Sequence, residues 1–253
     1  MIWRMAFVSG FDGAELAYQE VGEGRPLVLM HGVTGSGAMW QRHGQAETIA
    51  ARGFRVILPD FRGHGRSAKP HDPAAYPPDA LATDGLALVA QLGLDDYDLG
   101  GYSLGARIAV RMLVRGATPR RAVVAGQGLR EIVGVGGGAG AMLRRVFAGA
   151  GTFEPGSLEE RTERWLRSND EDPVALENVL NSIVPTTTEE LGRVPVPTLV
   201  VVGAEDERAA TSGELATALP HGILATVPGT HGTAATAPEL TAAIIDFITG
   251  PGG

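Results

Sequence analysis

Gly101-Tyr102-Ser103-Leu104-Gly105 lies between the compact run Tyr97–Gly101 and the amphipathic stretch Leu104–Val114. The run reads as a strand and the stretch as a helix. The pentapeptide therefore has the form G-x-S-x-G at a strand-to-helix turn. A sharp turn there lifts the serine hydroxyl above the sheet, and flanking glycines allow close backbone approach. The helix that follows presents free N–H groups and its positive dipole end. A plain turn with a serine N-cap uses the same residue types, so the rest of the chain must decide between the two.

On both sides of this turn, short apolar runs alternate with helical patterns, which predicts βαβ units and a mostly parallel sheet. Val28–His31, Phe54–Pro59, Ala122–Ala125, Thr198–Gly203 and Leu224–Val227 are the other predicted strands. Met39–Ala51, Asp79–Leu92 and Pro238–Ile248 are predicted helices. Near the start, Met5–Ser9 and Glu15–Glu20 flank an Asp12-Gly13 turn signal and predict an antiparallel hairpin.

The rhythm breaks between Gly126 and Val194. The stretch Gly134–Gly140 (GVGGGAG) is expected to be flexible. After it, Ala141–Ala148, Ser157–Arg167 and Val174–Ile183 predict helices, with Ser157 and Glu160 spaced as a capping box. The expectation is an α/β core over 1–126 and 195–253, with 127–194 as a helical insertion.

Composition narrows the function classes. The 253 residues fit one α/β domain with an insertion, and the 36 glycines suit its many tight turns. A formal net charge of -8 argues against general nucleic-acid binding. The absence of cysteine removes thiol nucleophiles, disulfides and cysteine-based zinc sites. The first ten residues show no secretory pattern, and no apolar run is long enough to span a bilayer. A cytoplasmic protein without a membrane partner is expected, acting on a small-molecule substrate; the oligomeric state is not legible.

A serine hydroxyl is a poor nucleophile at neutral pH and needs a base. His231 follows the last predicted strand in Pro228-Gly229-Thr230-His231-Gly232. Strand ends on one edge of a parallel sheet meet in space, so His231 can approach Ser103. The base needs an acid to fix its tautomer, and Asp206 lies after the strand Thr198–Gly203. Its neighbours Glu205 and Glu207 compete for that role. The loop after Ala122–Ala125 reads Gly126-Gln127-Gly128 and offers no acid. For an oxyanion, two backbone N–H groups are available, those of Leu104 and of Val33 in His31-Gly32-Val33-Thr34-Gly35.

Together, HGVTGS at 31–36, DFRGHGRS at 60–67, GYSLGAR at 101–107, GAEDE at 203–207 and the GTHG around His231 resemble the α/β-hydrolase superfamily. The resemblance covers nearly the whole chain. It implies a central eight-stranded, mostly parallel sheet with flanking helices and a small helical cap over the site. Ala106 departs from the pattern, where many members carry a second glycine after the elbow. Neither Asp60 nor His64 is expected to take part in catalysis. Ser103 argues against the haloalkane and epoxide chemistries that use an aspartate nucleophile.

The expected function is hydrolysis of a small ester or lactone through an acyl-enzyme on Ser103, with no metal or organic cofactor. C–C bond hydrolysis, a synthase-type elimination, perhydrolysis and a non-catalytic ligand-binding role are the alternatives. Trp40, Met142, Phe147 and Trp165 are apolar candidates for the pocket wall, and serve equally well as packing between insertion and core. Arg144, Arg145, Arg161, Arg164 and Arg167 crowd the insertion; one facing inward would suit a substrate carboxylate, while all of them also suit a solvated helix face.

Overall fold

The structure is a computed structural model, and it describes residues 1–134 and 138–250. Residues 135–137, at the centre of the glycine-rich stretch expected to be flexible, lie outside the described residues. Eight strands form one sheet: β1 (Arg4–Ser9), β2 (Glu15–Val21), β3 (Arg25–Met30), β4 (Phe54–Pro59), β5 (Asp98–Tyr102), β6 (Ala122–Ala125), β7 (Thr198–Gly203) and β8 (Gly222–Val227). Their order is β1-β2-β4-β3-β5-β6-β7-β8. Strand β2 runs antiparallel to β1 and β4, and every other pair is parallel. The hairpin forms as expected, with Ser9 opposite Glu15.

Helices cover both faces of the central strands, which is why β6 and β7 are buried at every position rather than alternating. Val28, Met30, Val124 and Val200 face α2 (Ala80–Gln91), α3 (Leu104–Val114) and α9 (Ala209–Ala218). Leu27, Leu29, Val123, Val201 and Leu58 face the opposite way, toward α1 (Gln45–Ala50) and α11 (Pro238–Thr249). The period-2 geometry of a strand divides one apolar run between two cores.

The helix expected over Met39–Ala51 is two pieces, a 3-10 turn at Gly37–Trp40 and then α1. Gly44 between them has φ +69°, a left-handed conformation that stops a helix and that glycine adopts without a Cβ penalty. Between β6 and β7 the described residues form α4 (Leu129–Val133), α5 (Gly138–Ala148), α6 (Leu158–Ser168), α7 (Pro173–Ser182) and α8 (Thr188–Leu191). Only half of the expected capping box forms. The Ser157 hydroxyl accepts from the Glu160 N–H, but the Glu160 carboxylate accepts from Gly156 instead of Ser157. Leu143, Val146, Leu166, Leu176 and Leu180 make a separate small core for this segment. No helix of the described residues is long and apolar enough to cross a membrane.

After β3 the chain crosses to β4 on one side, and β5 then forms on the other. The strand order reverses between β3 and β5, and the C-terminal ends of such neighbours open a crevice. Met30 lies opposite Gly101, so the turns that leave β3 and β5 stand side by side.

Candidate active site

Ser103 stands at the tip of β5 with φ +56° and ψ -114°, a conformation that side chains rarely adopt. Tight packing leaves the chain no alternative. A Cβ on Gly101 would sit 2.4 Å from the Gly105 carbonyl carbon. One on Gly105 would sit 2.4 Å from the Met30 carbonyl oxygen. Only glycine at both positions lets α3 start directly against β3 and β5. The buried Ala106 fits beside them, so the departure from a second glycine is accommodated.

His231 opens α10 (His231–Ala234) after β8, and its Nε2 lies 3.1 Å from Ser103 Oγ. Its Nδ1 lies 2.7 Å from Asp206 Oδ2. Asp206 is 4% exposed while Glu205 and Glu207 point to solvent, so geometry selects the middle acid of the three. Burial alone would raise the Asp206 pKa, but the His231 contact and the Arg208 N–H and guanidinium bonds outweigh it and hold it at about 2. An ionised carboxylate can only accept, so Nδ1 carries the proton and donates it to Asp206. In the neutral ring Nε2 is then the acceptor, facing the hydroxyl of Ser103. The loops after β5, β7 and β8 bring together three residues separated by up to 128 positions.

Val33 and Leu104, whose backbone N–H groups are the expected oxyanion donors, border the same cleft as Ser103. Neither N–H has a hydrogen-bond acceptor among the described residues. The turn carrying Val33 is held by two buried histidines. His31 Nε2 accepts from the Phe61 N–H, so its Nδ1–H donates to the Gly32 carbonyl. Burial, and then the neighbouring His64, keep the His31 pKa well below its ordinary value. His64 Nε2 lies 2.9 Å from the Val33 carbonyl oxygen. Asp60 accepts from the N–H groups of Gly37 and Arg66, joining the 60–67 element to this turn. The other histidines, His43, His71 and His221, are exposed.

The pocket wall differs from expectation. Trp40 is fully buried on the far face of the sheet, with its indole N–H donating to the Met30 carbonyl. Met142 and Phe147 pack against the small core between β6 and β7, and Trp165 is 41% exposed on the outside. None of the four lines the cleft above Ser103. The apolar periodicity that suggested them marks packing faces equally well. The cleft is instead bordered by Val33, Leu104, Leu180 and Ile183 together with the polar side chains of Gln127, Glu131, Arg107, Arg144 and Arg208. Of the five arginines between β6 and β7 considered above, only Arg144 reaches it. Arg164 and Arg167 form i,i+4 ion pairs with Glu160 and Glu163 on the exposed face of α6.

Two supporting residues have no clear signal in the sequence. Gln127 is 3% exposed and its amide donates to the Ser103 carbonyl at 2.6 Å. Its position after β6 marks a loop at the site, but an uncharged amide carries no motif. Arg208 follows Asp206 by two residues and places Nη1 at 3.0 Å from Asp206 Oδ1.

Comparison with known proteins agrees with this fold. The family model described as alpha/beta hydrolase fold matches residues 25–126, the stretch holding the Val33 turn and the Ser103 elbow. The sheet order and the flanking helices are those of the α/β-hydrolase fold, and the matched stretch is similar to that family's model. A non-heme haloperoxidase of Rhodococcus erythropolis is 40% identical over 114 residues, which are 44% of this chain and 39% of that protein. The match thus spans well under half of that relative's length. Among solved structures, a bromoperoxidase from Bacillus anthracis is similar over 98% of this chain and 100% of its own, with TM-score 0.75 and 25% identity. A malate-bound thermophilic esterase from Thermogutta terrifontis is similar over 97% of this chain and 98% of its own, with TM-score 0.72 and 25% identity.

Proposed function

We propose that this chain is a serine hydrolase that cleaves a small ester or lactone through an acyl-enzyme on Ser103. The observation that carries the reading is the 3.1 Å contact of Ser103 Oγ with a ring nitrogen whose partner nitrogen faces an ionised carboxylate. Ser103 Oγ attacks the carbonyl carbon while its proton passes to His231 Nε2. The oxyanion takes the N–H groups of Val33 and Leu104. As it collapses, the bond to the leaving oxygen breaks and His231 returns the proton to that oxygen. Water then repeats the sequence, with His231 as base, releasing the acid and restoring the Ser103 hydroxyl. Asp206 stays ionised throughout and steadies the imidazolium. The helical segment 127–194 acts as the cap over this site. The likeness to a structure named as an esterase supports the same reading.

The likeness to proteins named haloperoxidase and bromoperoxidase favours a second reading, in which hydrogen peroxide replaces water in the last step.

Turnover of p-nitrophenyl butyrate and labelling by a fluorophosphonate probe test the first reading. Ser103→Ala is expected to abolish labelling and to lower kcat by at least about 10³-fold. Comparable turnover by folded Ser103→Ala protein would refute it. Peracid formation from acetate and peroxide, exceeding ester hydrolysis, would favour the second.

A further inference from the structure

The cleft above Ser103 is open to solvent and has a cavity volume of about 60 Å³. Three guanidinium groups and one carboxylate border it. The carboxylate, Glu131, has Arg130 2.8 Å from its Oε1, while its buried Oε2 has no hydrogen-bond partner among the described residues. Arg208 is paired with Asp206. Arg107 and Arg144 are different, because neither has a carboxylate within ion-pair distance among the described residues.

Arg107 sits one turn after the nucleophile on α3. Its guanidinium donates to the main-chain carbonyls of Glu131 and Gly134. Arg144 comes from the opposite side, on α5, and donates to the Leu180 carbonyl at 3.0 Å and to Asn181 Oδ1 at 3.3 Å. Neutral carbonyls orient both groups without cancelling their charge. Holding a cation in a partly buried site without a counter-ion costs stability. Burial lowers the Arg107 pKa to about 10, with the Glu131 charge opposing that shift. A second sign of incomplete pairing is in the same wall: Arg208, whose side chain is 9% exposed, has a buried Nε with no hydrogen-bond partner. The whole chain carries -8, so a cationic cleft here is a local reversal of the general charge.

We propose that the ester or lactone taken at Ser103 bears a second, free carboxylate, which is held in the cleft between Arg107 and Arg144. This rests on the hydrolase reading above and names its substrate class. A guanidinium meets a carboxylate in a planar, charge-assisted geometry, and the interaction is strong where water is partly excluded. One arginine belongs to the core and the other to the segment over the site, so the anion would also tie these two parts together.

Matched esters test this. p-Nitrophenyl hydrogen glutarate is compared with p-nitrophenyl pentanoate, and 4-carboxyphenyl butyrate with phenyl butyrate, which places the charge on the acyl or the alcohol side. The charged member of one pair is expected to have at least about tenfold higher kcat/KM, mainly through KM, and to lose that advantage as salt is raised. Arg144→Met is expected to bring the charged-to-neutral ratio toward one. Arg107→Met should do the same; since Arg107 also braces α4, Arg144→Met is the variant that decides. Glutarate titrated into Ser103→Ala protein should raise its Tm saturably, and should not do so when Arg144→Met is added. If esters are cleaved through Ser103 but neither charged member gains, the anion site is overturned and the hydrolase reading stands. If no ester is cleaved, the hydrolase reading falls and the glutarate titration alone decides, absence of a saturable shift overturning the anion site.

Discussion

The Tyr102 hydroxyl donates to the His231 carbonyl oxygen at 2.6 Å, and the two rings lie 5.2 Å apart between centroids. The residue before Ser103 thus holds the loop that carries His231. Burial raises the Tyr102 pKa, so the phenol keeps its proton and remains a donor. Tyr102→Phe removes this one contact and leaves a carbonyl without its partner. A stability loss of about 1 kcal/mol is expected in urea unfolding, with a several-fold fall in kcat. Unchanged kcat would mean that the His231 loop holds its place without the phenol.

Gly105→Ala tests whether the elbow depends on close backbone approach. The new Cβ would meet main-chain atoms of Met30 and His31, which cannot swing aside as a side chain would. The expected cost is at least about 2 kcal/mol, at the upper end for overpacking. A urea midpoint near that of the parent would show that α3 can shift off β3 cheaply.

Asp206→Asn should show a pH-dependent penalty. The folded pKa of Asp206, about 2, is below the ordinary 3.8, so its ionised form favours folding. That stability is complete above the unfolded value and is lost as pH falls through the folded one. The difference in unfolding free energy between parent and variant is therefore expected to be largest near neutrality and to shrink between about pH 5 and pH 2. A difference independent of pH would point to lost packing instead of lost charge.

Glu171 behaves oppositely. Its Oε1 accepts from the Gly35 N–H at 2.5 Å, linking the segment between β6 and β7 to the turn after β3. Burial raises its pKa; the Gly35 bond, Lys69 and Arg42 oppose this, and Asp170 adds to it. An acid whose folded pKa is raised favours folding at low pH and loses that contribution as pH rises through the folded value. Glu171→Gln keeps an acceptor for Gly35 and removes the charge. Its Tm relative to the parent should thus be higher at pH 7.5 than at pH 4. The reverse order would show that the carboxylate is stabilised where it stands.

Trp40→Ala separates core from pocket. Full burial against the β3–β4 face predicts a loss of about 3–5 kcal/mol. The ranking of esters by acyl length should be the same as in the parent. A changed ranking would place Trp40 in contact with substrate after all.

The elbow, the alternation of strands and helices and the order serine, acid, histidine were all readable along the chain. Each is a local demand, met by residues within a few positions: glycine where backbones touch, an apolar run where a strand is covered on both faces, a polar residue just past a strand end. The three acids at 205–207 lie on one tight loop, and their composition alone could not say which turns inward. The fold decided that, by burying Asp206 beside His231. It also moved Trp40 into the core and picked Arg144 from five similar arginines. Which side of a short helix or loop faces inward depends on partners 24 to 128 residues away, such as Gln127 with Ser103 and Ser103 with His231. The turn that lifts Ser103 was therefore legible from its own residues, whereas the charge of the cleft above it emerged only when α3, the β7 loop and α5 were brought to one place.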